Sequence, residues 1–134
     1  MKIFAVIDTN VIVSALLAKT TDTPPAQVLI HLLNGDFVPV FSDDILIEYL
    51  QVLKRKHKYV FEDAYVEELV WAIKQRGIEM TPTGIHEGVK DEKDYVFYEV
   101  ATAKEDTYLV TGNLKHFPQS PIVVSPKEFL KLFD

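Results

Sequence analysis

The chain has 134 residues, 48% of them hydrophobic, which fits one domain spanning residues 1–134 with a single sizeable core and argues against disorder. It has no cysteine, so disulfides and thiolate metal sites are excluded. Its net charge of −6, from 14 Lys+Arg against 20 Asp+Glu, argues against a broad basic face for nucleic acid, but not against an acidic site that carries cations.

Ile3–Ile7 is apolar on both faces, as a central parallel strand is. The run breaks at Asp8, too soon for a signal peptide or a membrane span, and the chain reads as soluble and cytoplasmic with no membrane partner. Asp8, Thr9 and Asn10 are all residues that cap helices, and Val11–Ala18 reads as a short helix. Pro24 and Pro25 open a second helix over Ala26–Leu33, which stops at Asn34-Gly35. Phe37–Phe41 is a short strand. Ser42 caps a long helix running to about Lys56, with Asp43 and Asp44 in its first turn. A helix over Glu62–Gln75 ends at Gly77, Ile78–Met80 is a candidate short strand, and Thr81–Gly88 is a loop. A helix from Asp91 to Lys104, a strand over Tyr108–Thr111, a last strand over Ile122–Val124 and a terminal helix from Pro126 to Phe133 complete the chain. Short apolar strands alternating with helices predict a parallel sheet of about four to five strands with helices on both faces. Ligand sites in such sheets lie at the carboxyl ends of the strands, where Asp8 and Asn113 fall.

Three acids stand at helix starts or at the edges of apolar faces. Asp8 ends the first strand, although it also suits the N-cap of the helix that follows. Glu48 lies beside the stripe of Ile45, Tyr49, Val52 and Leu53, where it either points along the core boundary toward a site or extends into solvent at the rim. Asp94 precedes Phe97, Val100 and Ala101 on the buried face of its helix, with Asp91 one turn earlier. Both acids also suit plain capping. If these acids meet at one rim of the sheet, their repulsion is about 4 kcal/mol per pair at 4 Å and an effective dielectric near 20. A hard divalent cation removes that strain, and oxygen-only ligands select Mg²⁺ or Mn²⁺ over zinc. His31, His57, His86 and His116 are scattered, and neither a glycine-rich phosphate loop nor a G-x-S-x-G elbow is present.

The segments VIDTNVIVSALL, SDDILIEYLQVLKR, DEKDYVFYEVATAKEDTYLVTGN and LKHFP, in this order, resemble the PIN domain. The likeness is nearest to its bacterial and archaeal branch of toxin components from toxin–antitoxin pairs. The resemblance implies a three-layer α/β/α sandwich around a parallel sheet, an acidic Mg²⁺ or Mn²⁺ site and ribonuclease activity. Within it Asp8 matches the first acid of the D-T-N motif, Glu48 the acid on the long helix and Asp94 the acid opening the later helix. The family often carries a fourth acid after T-G. Here that residue is Asn113, which offers a carbonyl ligand or a water anchor, and Asp91 is the candidate substitute.

The implied function is metal-dependent cleavage of single-stranded RNA. The partners expected are the RNA substrate, a small antitoxin protein and a second copy of the chain in a homodimer. Lys54, Arg55 and Lys58 belong to the basic run 54–58 and are candidate phosphate contacts, although cations at a helix C-terminus also complement its dipole. A competing reading is a catalytically weakened PIN-like module that binds RNA or a protein, with Asn113 as the mark of decay. A haloacid-type phosphatase wants a second Asp where Asn10 stands, and a phosphotransfer receiver wants adjacent acids that the N-terminus lacks.

Overall fold

A computed structural model describes residues 2–55 and 58–134. Strand β1 (Phe4–Ile7) leads into helices α1 (Thr9–Leu17) and α2 (Pro24–Leu33). Strand β2 (Val38–Phe41) leads into α3 (Asp43–Leu53) and α4 (Asp63–Arg76), which return to β3 (Ile78–Glu79). A loop and a 3₁₀ turn over Glu92–Asp94 precede α5 (Tyr95–Ala103) and β4 (Thr107–Val110). A second 3₁₀ turn, Leu114–His116, then leads to β5 (Val123–Val124), α6 (Pro126–Leu130) and a last turn over Lys131–Phe133.

The five strands lie in the order β3-β2-β1-β4-β5, and every pair is parallel. β1 is central, with Phe4 opposite Val38 on one side and Thr107 on the other. That position explains its apolar run, since Ala5 and Val6 are wholly buried between two helix layers. The pleat distributes the layers. Ala5 pairs with Tyr108, so Phe4 and Tyr108 face opposite sides. The Phe4 ring lies 3.7 Å under the Lys104 ammonium just after α5, while Tyr108 meets Phe129 of α6 at 6.0 Å. α1 packs on α2 and α2 on α6, while α3 packs on α4 and α5, giving the expected α/β/α sandwich. No helix among the described residues is long and apolar enough to cross a membrane.

The local boundaries differ from the sequence reading where side chains have other tasks. α1 starts at Thr9, not Val11, because Thr9 and Asn10 use their side chains away from the cap. The expected helix from Asp91 is a tight turn first and an α-helix only from Tyr95. Asp91 caps that turn by accepting the Lys93 N–H at 3.3 Å, and the turn delivers Asp94 into the interior. α3 ends at Leu53 rather than near Lys56, since Lys54 is its C-cap and Arg55 is already outside the helix, while Lys56 itself lies outside the described residues. Ser42 caps α3 as expected, accepting the Ile45 N–H at 3.3 Å.

Candidate functional site

The register of β1 and β4 sets the centre of the site. Ile7 pairs with Val110, so Asp8 and Thr111 leave the sheet side by side at its carboxyl edge. The Asp8 N–H donates to the Val110 carbonyl at 2.9 Å. The Thr111 hydroxyl donates to Asp8 Oδ2 at 2.8 Å and accepts the Asn113 N–H at 3.0 Å. The Asn10 amide joins the two segments, accepting the Gly112 N–H at 3.3 Å and donating to Asp8 Oδ2 at 3.4 Å. Asp8 holds the N-cap position of α1, yet its side chain makes no capping hydrogen bond. The carboxylate is turned to the strand ends.

Glu48 is brought over this edge by its neighbour. The fully buried Tyr49 phenol donates to the Ile7 carbonyl at 2.5 Å, which ties α3 to the end of β1. Glu48, half-buried, then accepts the Thr9 hydroxyl. Asp94 reaches the same edge from the turn before α5. It is buried, and its Oδ2 accepts from His116 Nδ1 at 3.0 Å. Asp8, Glu48 and Asp94 line one cavity of about 420 Å³, with Asn113, Arg55 and Lys93 also on its walls.

The three acids feel one another. Burial pushes the Asp8 carboxyl up to about 6, the Asp94 and Glu48 charges add to that rise, and the Thr111 hydrogen bond opposes it. The Glu48 carboxyl is raised by burial and by Asp94, against the Thr9 hydroxyl and the cations of Arg55 and Lys93. Burial, followed by the Asp8 and Glu48 charges, pushes the Tyr49 phenol well above its ordinary range. The site therefore concentrates negative charge at a cavity where, among the described residues, Arg55 and Lys93 are the strong cations on the walls. Among the described residues no group of three or more His, Asp or Glu side chains is gathered closely enough to hold an ion by itself. The donor chemistry still fits a hard divalent cation. Three carboxylates share the cavity, no thiolate competes, and the one imidazole is engaged by Asp94.

Other candidate residues are placed differently. Asp91 is exposed, caps its turn and lies 3.7 Å from Lys93 Nζ, and it does not line the cavity. Lys54 is turned to α4, where its ammonium meets Glu67 at 3.2 Å. Lys58 lies 5.8 Å over the Tyr59 ring and is also off the cavity, while Arg55 lines it. Lys56 and His57 of the basic run lie outside the described residues.

Thr111, His116 and Lys93 were not identified from sequence. Lys93 carried the clearest signal, since it shares a turn with Asp94. Thr111 and His116 reach their partners across sequence separations of 103 and 22 residues, which no local pattern reveals.

The sequence matches the PIN domain family over residues 5–115, a stretch that contains all three cavity acids and Asn113. Neither a curated protein nor a solved structure matches the chain. A match over that span, on a parallel sheet with acids gathered at its carboxyl edge, leaves one assignment: the chain belongs to the PIN domain family, whose members are typically nucleases.

Proposed function

We propose that this PIN domain is a divalent-metal-dependent endonuclease of single-stranded RNA, acting in the cytoplasm as the toxin component of a pair whose antitoxin is a small protein. The observation that carries the nuclease reading is the meeting of Asp8, Glu48 and Asp94 at one cavity on the carboxyl edge of the sheet. The toxin–antitoxin reading, and with it a homodimer, rests on the likeness of the four sequence segments.

Asp8, Glu48 and Asp94 would hold Mg²⁺ or Mn²⁺, with Asn113 offering an amide oxygen where the family often has an acid. When bound, the ion supplies activation of the attacking water and neutralises charge on the phosphoryl oxygens. Thr111 and Asn10 fix the Asp8 carboxylate, and Thr9 fixes Glu48, so the donors stand ready before substrate arrives. Arg55 and Lys93 on the cavity wall orient the scissile phosphate. A cavity carboxylate accepts the proton of the attacking water. The P–O3′ bond breaks as the P–O bond to water forms, giving a 5′-phosphate and a 3′-hydroxyl.

Asn113 favours a second reading, a module with weakened catalysis, because it replaces a charge with an amide on the cavity wall. One experiment separates the two. Wild type, Asp8→Asn and Asn113→Asp are incubated with end-labelled single-stranded RNA, in Mn²⁺ and in chelator. Metal-dependent cleavage by wild type that disappears in Asp8→Asn supports the nuclease. Activity only in Asn113→Asp would establish the weakened module instead. Equal cleavage by wild type and Asp8→Asn would overturn the mechanism.

A further inference from the structure

A second cavity, of about 520 Å³, lies directly beside the acid cavity. The 3₁₀ turn Leu114–His116 is the wall between them. Asn113 and His116 line the acid side, while Leu114, Lys115 and Phe117 line the other. The wall is held from within and from behind. His116 N–H donates to the Asn113 carbonyl at 3.0 Å, and Lys90 N–H donates to the His116 carbonyl at 3.0 Å. Gly88, at φ +89°, lets the chain before Lys90 lie close on Pro118, where a Cβ would come within 2.9 Å of the proline ring.

The lining of this second cavity joins cations to apolar side chains. In a chain of net charge −6, it presents two exposed lysines, Lys90 and Lys115. Neither forms an ion pair among the described residues, whereas Lys54 and Lys93 do. The carboxylate that also lines the cavity, Glu128, is engaged by the Ser125 N–H at 2.9 Å in the capping box of α6. Pro118, half-buried, gives an apolar floor backed by the buried Phe117, and Leu114, 42% exposed, gives an apolar ridge between the two cavities. An apolar floor with flanking cations is chemistry that can receive an unpaired base and its phosphate. A three-residue 3₁₀ turn is about 6 Å long, a span that one nucleotide step of an extended strand crosses.

We infer that this cavity is a nucleotide subsite of the acid site: Lys90 and Lys115 hold a backbone phosphate next to the scissile one, and the base of that nucleotide rests on Pro118 and against Leu114. The inference rests on the single-stranded RNA reading of the acid cavity and adds the path of the strand across the Leu114–His116 turn.

The test is steady-state cleavage by the double variant Lys90→Gln/Lys115→Gln in Mn²⁺. One substrate is a single-stranded RNA oligonucleotide and the other is an RNA dinucleotide that reaches only the acid cavity. Both lysines are exposed, so the fold is retained, and Lys90→Arg/Lys115→Arg serves as the charge-preserving control. The subsite predicts that KM for the oligonucleotide rises about tenfold with kcat little changed, and that the salt slope of binding falls by about 1.4 for two lost contacts. It also predicts that the dinucleotide is cleaved as by wild type and that the arginine pair restores KM. An oligonucleotide KM and salt slope equal to wild type, with Asp8→Asn inactive, would overturn the subsite and leave the nuclease standing. Equal weakening of both substrates would also overturn it, as general electrostatic attraction. A wild-type protein that neither binds nor cleaves any single-stranded RNA in Mn²⁺ would remove both readings.

Discussion

Removing the charge of Asp8 should stabilise the metal-free protein. Asp8 is 5% exposed, and its carboxyl is pushed up from 3.8 to about 6, first by burial and then by the Asp94 and Glu48 charges, against the Thr111 hydrogen bond. A difference of about 2 pKa units between unfolded and folded chain corresponds to about 3 kcal/mol. The folded value is the higher one, so the native state keeps a proton that the unfolded chain has released. Stability from this group is therefore full below pH of about 4, falls as pH rises to about 6, and stays low above that. Asp8→Asn is neutral throughout. It keeps an oxygen for the Thr111 hydroxyl but replaces the other acceptor with an NH₂ group, a loss of about 1 kcal/mol. In chelator at a pH of about 7.5 the variant should be the more stable by about 2 kcal/mol, a Tm gain of about 8 °C for a chain of this size. At a pH of about 4 the gain should vanish. Mn²⁺ should then raise the Tm of wild type and leave that of the variant unchanged. Thermal unfolding followed by circular dichroism across this pH range tests the reasoning. A variant less stable than wild type at neutral pH, or a difference that does not change with pH, would refute it.

Tyr49→Phe removes the donor to the Ile7 carbonyl and should cost about 1–2 kcal/mol. Because that bond also sets Glu48, the variant should bind Mn²⁺ more weakly in titration calorimetry. Arg55→Gln should raise KM for RNA several-fold, since Arg55 lines the cavity. Lys54→Gln should leave KM unchanged, since Lys54 pairs with Glu67 on α4. Glu99→Ala should destabilise by about 2 kcal/mol, because this buried acid accepts both the Gly84 N–H and His86 Nδ1 at 2.9 Å. The freed loop 81–90 should become the first site of cleavage in limited proteolysis.

The sheet was legible because burial writes itself into composition. The unbroken run Ile3–Ile7 read as a strand covered on both faces, and β1 is the centre of the sheet. β3 and β5 fall inside the stretches read as strands, Ile78–Met80 and Ile122–Val124, but at two residues each they carry no periodicity that could fix their ends. The three acids were legible as odd charges on apolar edges, but Asp8 and Asp94 had a capping alternative and Glu48 a solvated place at the rim, which only geometry could decide. Asp8 sits at the cap position without capping, and Asp94 is buried against His116, while Asp91 does cap. The partners of these acids were not legible. Thr111 and His116 arrive by strand register and by a turn after β4, and neither leaves a local signature beside Asp8 or Asp94. The basic run divides for a similar reason. α3 ends at Leu53 and Lys54 is its C-cap, so the run leaves the helix there, with Lys54 turned to α4 and Arg55 to the cavity.

The central claim is that Asp8, Glu48 and Asp94 form one cation site. Anomalous diffraction at the manganese edge, from crystals grown with Mn²⁺, measures it directly. The account predicts an anomalous peak in the acid cavity, about 2.2 Å from carboxylate oxygens of Asp8 and of at least one of the other two acids, with water completing the shell. No peak there, in a protein that cleaves RNA only when Mn²⁺ is present, would contradict it.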